Sequence, residues 1–294
     1  MTKSLSINYH TFTWGARTYI MGVLNVTPDS FSGDGLYAGK NPVEAALVQA
    51  RHFVESGADI LDVGGESTRP GSQPVDAQEE MERVLPVIES IAAELDVPIS
   101  IDSYKAEVAA AALDAGAHLV NDVWGLHADP DMATLVAARG VPVILMHNRS
   151  APKNAEILEH LGGRYTGVKY DNLLEDIKRE LLESVAVAED AGIKTKNIVL
   201  DPGIGFGKTV EQNLELLNRS YEIKELGYPV LIGPSRKSFI GYTLDLPPGQ
   251  RAEGTAAAVA VGIMRGADIV RVHDVEMIAR VARMTDAIVR RPPG

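Results

Sequence analysis

The sequence predicts an α/β fold, a (β/α)8 TIM barrel preceded by a short N-terminal β-hairpin, and two features carry that prediction. Short apolar runs alternate with amphipathic stretches from about residue 19 to the end. The joints between them also repeat, because Gly57-Ala58-Asp59, Gly116-Ala117-His118 and Gly266-Ala267-Asp268 each close a helical stretch and open an apolar run. Eight runs stand out: YIMGVLN, DILDVGG, PISID, HLVND, PVILMH, NIVLD, PVLIG and DIVRVH. Each is short, β-branched and apolar throughout, as strands of a parallel sheet covered on both faces are.

Residues 5–18, ending TFTWGART, read as a hairpin ahead of the first strand that closes the barrel bottom. Among the helices, NLLEDIKRELLESVAVAEDAG sets Leu174, Ile177, Leu181 and Val185 on one stripe. The closing helix does the same with Val275, Ile278, Val281 or Ala282, and Ile288. Gly140, Gly192 and Gly227 are expected as left-handed helix caps. An open doubly wound sheet would usually have fewer units and a phosphate-binding glycine turn after its first strand. The first turn here, NVTPDSF, has no glycine, so the barrel is the simpler closure. No linker or low-complexity segment divides the chain, and residues 1–294 are expected to form one domain, near the ~250 residues of such barrels.

Composition narrows the function. With 45% hydrophobic residues the chain can bury a full core, and the absence of cysteine removes thiolate catalysis and cysteine metal ligands. A cysteine-free chain whose N-terminus, MTKSLSINYH, lacks a signal-peptide profile is expected in the cytoplasm. No apolar run reaches the ~18 residues of a membrane span. The net charge of −12 argues against nucleic acid as a partner, and any phosphate site must be built from local positive charge.

The stretch DPGIGFGKT, from Asp201 to Thr209, imitates a nucleotide loop and fails both patterns. Pro202 occupies the opening glycine of G-x-x-x-x-G-K-[ST], and the glycines at 203, 205 and 207 miss the G-x-G-x-x-G spacing. Lys208 and Thr209 are expected simply to start the next helix. The longest loops follow the first, second and fifth runs (TPDSFSGDGLYAGKN, GGESTRPGSQPVD and HNRSAPKNAEILEHLGGRYTG). All three fall at C-terminal strand ends, where barrel enzymes build their sites, and their composition suits lids.

The strand ends supply a polar ring: Asn25, Asp62, Asp102, Asn121-Asp122, His147, Asp201, Lys237, Arg271 and His273. One such residue is as often a cap or an ion-pair member as a functional group. A ring facing one mouth is a site. It does not suit a metallohydrolase, because the seven histidines are scattered with no H-x-H on the first strand. Asp102 and Asp201 could serve a glycosidase, but with 5% aromatic residues the chain has few platforms for sugars. A Schiff-base role for Lys237 suits less well than anion binding, because it lies beyond its strand between Arg236 and Ser238.

NVTPDSFSGDG, DVGGESTRPG, DPGIGFGK, GPSRKS and VRVHDV resemble, in order and spacing, the motifs of the dihydropteroate synthase family of pterin-binding enzymes, from Met21 to Ile288. The resemblance implies a barrel that joins 4-aminobenzoate to 6-hydroxymethyl-7,8-dihydropterin pyrophosphate in folate biosynthesis, with Mg2+ as cofactor and a homodimeric assembly. It implies that Asp102, Asn121 and Asp201 match the donors of the pterin edge and Lys237 its acceptors. Arg271 and His273 would hold the pyrophosphate, with Asn25 near the magnesium. Thr68, Arg69 and Pro70, with Phe206 and Ser238, would border the aminobenzoate, and Met146 and Gly233 belong to the same substrate-binding set. By the same resemblance Asp102, Lys237, Arg271 and His273 would be the catalytic group. Pro234 in GPSRKS, Ser103-Tyr104 in IDSYK and the residues after Met146-His147 depart from the commoner family wording, though no matched binding residue is lost. Two alternatives share the pterin-reading carboxylates: a methyltetrahydrofolate–corrinoid methyltransferase domain, which has no use for SRKS or STRPG, and a catalytically silent pterin-binding paralogue.

Overall fold

A computed structural model of the chain describes residues 4–27, 41–67, 74–158, 160–166 and 168–290. The chain begins with an antiparallel hairpin of β1 (Ser4–Ile7) and β2 (His10–Thr13). Its two-residue turn, Asn8-Tyr9, has positive φ at both positions (44° and 65°), the geometry that matches strand twist in tight hairpins. Alternating units follow: β3 (Tyr19–Asn25), α1 (Pro42–Glu55), β4 (Ile60–Gly64), α2 (Ala77–Glu94), β5 (Ile99–Asp102), α3 (Ala106–Asp114), β6 (Leu119–Asp122), α4 (Met132–Arg139) and β7 (Val143–Met146). A small ribbon, β8 (Ala155–Leu158) and β9 (Gly162–Tyr165), precedes α5 (Leu173–Asp190) and β10 (Ile198–Asp201). The last units are α6 (Val210–Asn218), α7 (Tyr221–Lys224), β11 (Leu231–Ile232), α8 (Ser238–Leu244), α9 (Ala252–Met264), β12 (Ile269–Val272) and α10 (Val275–Val289).

Eight parallel strands run in the order β10-β7-β6-β5-β4-β3-β12-β11. A parallel bridge from Leu200 to Val230, with Leu200 N donating to Pro229 O at 2.9 Å, joins the two ends and closes the barrel. All eight runs read from the sequence are these strands. The seventh shrinks to Leu231–Ile232 because Gly233-Pro234 follows, and proline cannot donate to the ladder.

The repeated joints have a physical reason. Backbone N–H groups at the strand starts on the barrel bottom need acceptors, and the polar residue of each joint provides one to the neighbouring strand. Asp59 Oδ2 accepts from Ile20 N (2.8 Å), His118 Nδ1 from Ile99 N (3.1 Å) and Asp268 Oδ2 from Val230 N (2.8 Å). Burial lowers the His118 pKa, in keeping with a neutral ring that accepts at Nδ1.

Two apolar layers hold the barrel. The larger lies between strands and helices and includes Leu174, Ile177, Leu181 and Val185. The smaller fills the barrel floor, where Tyr19, Met21, Ile60, Leu119, Ile144, Val199, Leu231 and Ile269 meet Leu5, Ile7 and Phe12 of the hairpin. The hairpin therefore plugs the bottom, as its sequence predicts, and all chemistry is left to the other rim. Three expectations are corrected. Ile288 leaves the stripe of α10 and is 67% exposed, whereas Val275, Ile278 and Ala282 are buried. The loop after the fifth run contains the β8–β9 ribbon, whose opposed Glu156 and Arg164 form an ion pair. Lys208 does more than begin a helix, as described below. Among the described residues, no helix is long and apolar enough to cross a membrane.

Candidate active site at the barrel mouth

The C-terminal strand ends bring Asp62, Asp102, Asn121 and Arg271 into one polar cluster. Arg271 Nε donates to Asp62 Oδ2 and Nη2 to Asp102 Oδ2, both at 2.5 Å. Asn121 Nδ2 donates to the same Asp62 oxygen at 3.2 Å. Asp62 is fully buried, so its charge depends on these two partners. Against the cost of burial, Asp62 and Asp102 hold the Arg271 guanidinium above its usual range. Burial pushes the Asp102 carboxyl up to about 7, although Arg271 pulls the other way. Asp62, whose partner role the sequence did not disclose, is thus the base on which Arg271 and Asn121 are set. An aspartate in the middle of an apolar strand was the available signal.

Asp201 ends β10 beneath the glycine loop. Its Oδ1 accepts from Gly203 N at 2.7 Å, and burial raises its pKa against that bond and Lys237. Gly203 and Gly207 have φ of +72° and +59°, and added Cβ atoms would lie 1.9 Å from His147 O and 2.2 Å from Arg149 C. Only glycine permits so close a backbone approach. Gly205 N donates to Asn213 Oδ1 at 2.6 Å, and Gly207 O accepts from Tyr170 Oη at 3.0 Å. The loop carries Phe206 inward, where it joins Met146 and Val123 in a buried apolar wall flanked by Tyr104 and Trp124.

Lys237 faces that wall, with Nζ 3.8 Å from the Phe206 ring centroid, close enough for a cation–π contact. Its position comes from the turn before α8. Arg236 takes a left-handed φ of 56°, a conformation uncommon outside glycine. That conformation is fixed by Arg236 N donating to Thr255 Oγ1 (3.0 Å), by Arg251 Nη1 donating to Arg236 O (3.1 Å), and by an ion pair to Asp274. Ser235 Oγ lies 3.0 Å from His273 Nδ1 and accepts from His273 N at 3.2 Å, which fixes the histidine beside Arg271 in sequence. Ser238 opens α8, and Gly233 follows β11 with space for a Cβ at 3.8 Å from Arg271. Asn25 ends β3 half-buried.

Two members of the ring read from the sequence have other work. Asp122 accepts from Trp124 N and Leu126 N at 2.8 Å and shapes the turn after β6. His147 is buried against Glu180 and Lys208. Thr68, Arg69 and Pro70, together with the first-loop glycines Gly33 and Gly35, lie outside the described residues.

The barrel mouth thus gathers two carboxylates, an asparagine and two cations near an apolar wall, groups that can hydrogen-bond a polar ring and pair with an anion. The family model for pterin binding enzymes matches residues 21–273. The dihydropteroate synthase of Clostridium beijerinckii is 51% identical over 288 residues, covering 98% of this chain and all of that protein. That of Bacillus subtilis is 51% identical over 290 residues, covering 99% and 93%. Among solved structures, a dihydropteroate synthase from Clostridium difficile, crystallised in the presence of pteroic acid, superposes with a TM-score of 0.85 at 50% identity and covers 95% of this chain and 99% of that one. The Xanthomonas albilineans enzyme with 4-aminobenzoic acid gives 0.88 at 40% identity, covering 99% and 100%. The chain belongs to the pterin binding enzyme family, and within it sits with the dihydropteroate synthases.

Proposed function

We propose that this chain joins 4-aminobenzoate to 6-hydroxymethyl-7,8-dihydropterin pyrophosphate, giving 7,8-dihydropteroate and pyrophosphate. The observation that carries it is that Asp102 and Asp201 both lie within electrostatic reach of Lys237 and Arg271, that Asn121 shares the Asp62 carboxylate with Arg271, and that Lys237 sits over the Phe206 ring. A pterin edge has ring N–H and amino donors beside carbonyl and ring-nitrogen acceptors. Asp102, Asn121 and Asp201 take the donors and Lys237 an acceptor; each unmatched group in a dry pocket would cost about 1–3 kcal/mol. Phe206 and Ser238 border the aminobenzoate.

In the reaction the carbon–oxygen bond to pyrophosphate breaks, leaving a methylene cation conjugated with the pterin ring, and the amine nitrogen then bonds to that carbon and gives its proton to water. An aryl amine is neutral at pH 7, so no strong base is required. Arg271 and His273 meet the charge growing on the departing pyrophosphate. Arg271 also holds Asp62 and Asp102, so engaging the pyrophosphate redistributes its charge within the cluster. Asp102 as carboxylate faces the cationic methylene. Catalysis is then mainly electrostatic positioning.

Among the described residues, no cluster of three or more acidic, histidine or cysteine side chains could cage a metal. Magnesium held mostly by substrate phosphate and water needs few protein ligands, and the Asn25 side-chain oxygen fits that part. When bound, the ion neutralises pyrophosphate charge. We further propose a cytoplasmic homodimer. The dimer is supported by Met264 on α9 and Met284 and Ile288 on α10, large apolar side chains that are 59%, 64% and 67% exposed. The test is direct coupling: purified chain, both substrates and magnesium should yield dihydropteroate and pyrophosphate in equal amounts. Pterin binding without product would support the silent paralogue instead.

A further inference from the structure

The Gly-Lys-Thr that ends DPGIGFGKT is not used by the reaction above, yet Lys208 is among the most deeply buried side chains, at 2% exposure. Lysine is almost never so buried unless its charge is paired. Its Nζ donates to Gly203 O at 2.9 Å and to Phe206 O at 3.0 Å, and lies 3.0 Å from His147 Nδ1. An ammonium has three N–H groups, and here each has one acceptor. A neutral amine would leave an acceptor unmet. The His147 ring is fixed in turn, because its other nitrogen lies 3.0 Å from Glu180 Oε2, which also accepts from Arg149 Nε at 3.0 Å. Burial lowers His147 to about 4, so the ring is neutral, donates from Nε2 to Glu180 and accepts at Nδ1 from Lys208.

We infer that Lys208 is a positioning residue for the second substrate: its ammonium ties both ends of the 203–206 turn to His147 and thereby holds the Phe206 ring beneath Lys237. The two carbonyls it binds are those of Gly203 and Phe206, the residues that begin and end this turn. Without the tether, Phe206 O would have to find another partner in a buried place, and the glycines give the turn little stiffness of its own. Asp201 and Glu180 attract the ammonium while Lys237 and Arg149 repel it. Burial lowers Lys208 to about 7, but its three acceptors favour the charged form at that pH. The alternative is a lysine that only balances buried charge and stabilises the whole chain.

This inference rests on the proposed placing of 4-aminobenzoate beside Phe206. The test measures thermal unfolding and steady-state kinetics for wild type, Lys208→Met and Lys208→Gln. Methionine removes all three donors with similar length, and glutamine keeps two. The KM for 4-aminobenzoate is expected to rise about 10-fold or more in Lys208→Met and by less in Lys208→Gln. The KM for the pterin pyrophosphate should rise less than that for 4-aminobenzoate, because β10 still holds Asp201 although its Gly203 partner lies in the loosened turn, and the kcat should stay within about 3-fold in both. Unchanged KM values in a folded variant, or loss of cooperative folding in both, would overturn the inference and assign Lys208 to overall stability. Wild-type protein that fails to couple the substrates would instead remove the functional proposal on which this rests.

Discussion

Asp102 shows how a single side chain links stability to turnover. Its carboxyl is buried at the mouth and raised from 3.8 to about 7, with Arg271 opposing the shift. The folded chain therefore holds this proton more tightly than the unfolded chain. From this group, stability declines as pH climbs from 3.8 through about 7 and is level above. Turnover should move the opposite way, because the carboxylate and not the acid faces the methylene cation. The kcat/KM for the pterin pyrophosphate is expected to rise through pH of about 7, and in Asp102→Asn to be about 100-fold lower with no inflection there. A stopped-time assay across pH 5.5–9 would check it, and a wild-type profile flat through that window would refute it. The acidic residues at strand ends were legible in the sequence because parallel strands alternate so little that a polar end stands out. Asp122 and His147 stood out equally, and only geometry shows that one caps a turn and the other braces Lys208.

At the scale of elements, the chain separates stability from chemistry. The β1–β2 hairpin packs Phe12 at 2% exposure against the barrel floor, at the opposite end from Arg271 and Lys237. Phe12→Ala should cost about 3–5 kcal/mol in urea unfolding and leave both KM values within about 2-fold; a large KM change would mean that floor and mouth are coupled. All eight barrel strands and the amphipathic α5 were readable, since their periodicity reflects burial. The β8–β9 ribbon was not, because AEIL and GGRY show no clean alternation and its hold comes from distant partners. Tyr242 Oη donates to Gly162 O at 3.1 Å and Arg251 Nη2 to Leu161 O at 2.8 Å. Ile288 misled for a geometric reason: six residues beyond Ala282, it lies about 120° round the helix from that buried side chain.

For the whole molecule, the net charge of −12 means that an anionic substrate is captured by local design and not by long-range attraction. The outer helices carry the second global expectation. Sedimentation equilibrium should find a dimer, and Met264→Glu with Met284→Glu should shift it to monomer, because charges would replace exposed apolar side chains; a wild-type monomer would remove the homodimer. Central to all of this is that the polar ring at the barrel mouth reads a pterin. The most direct measurement is calorimetric titration of the bare dihydropterin alcohol into wild type and Asp201→Asn. The amide turns one acceptor into a donor facing the donors of the ring, within a site where Asp201 already serves Gly203 N. The expected result is a loss of at least about 2–3 kcal/mol in pterin affinity, with the variant still folded. Pterin affinity within a few-fold of wild type would contradict the assignment of this mouth as a pterin site read by Asp201.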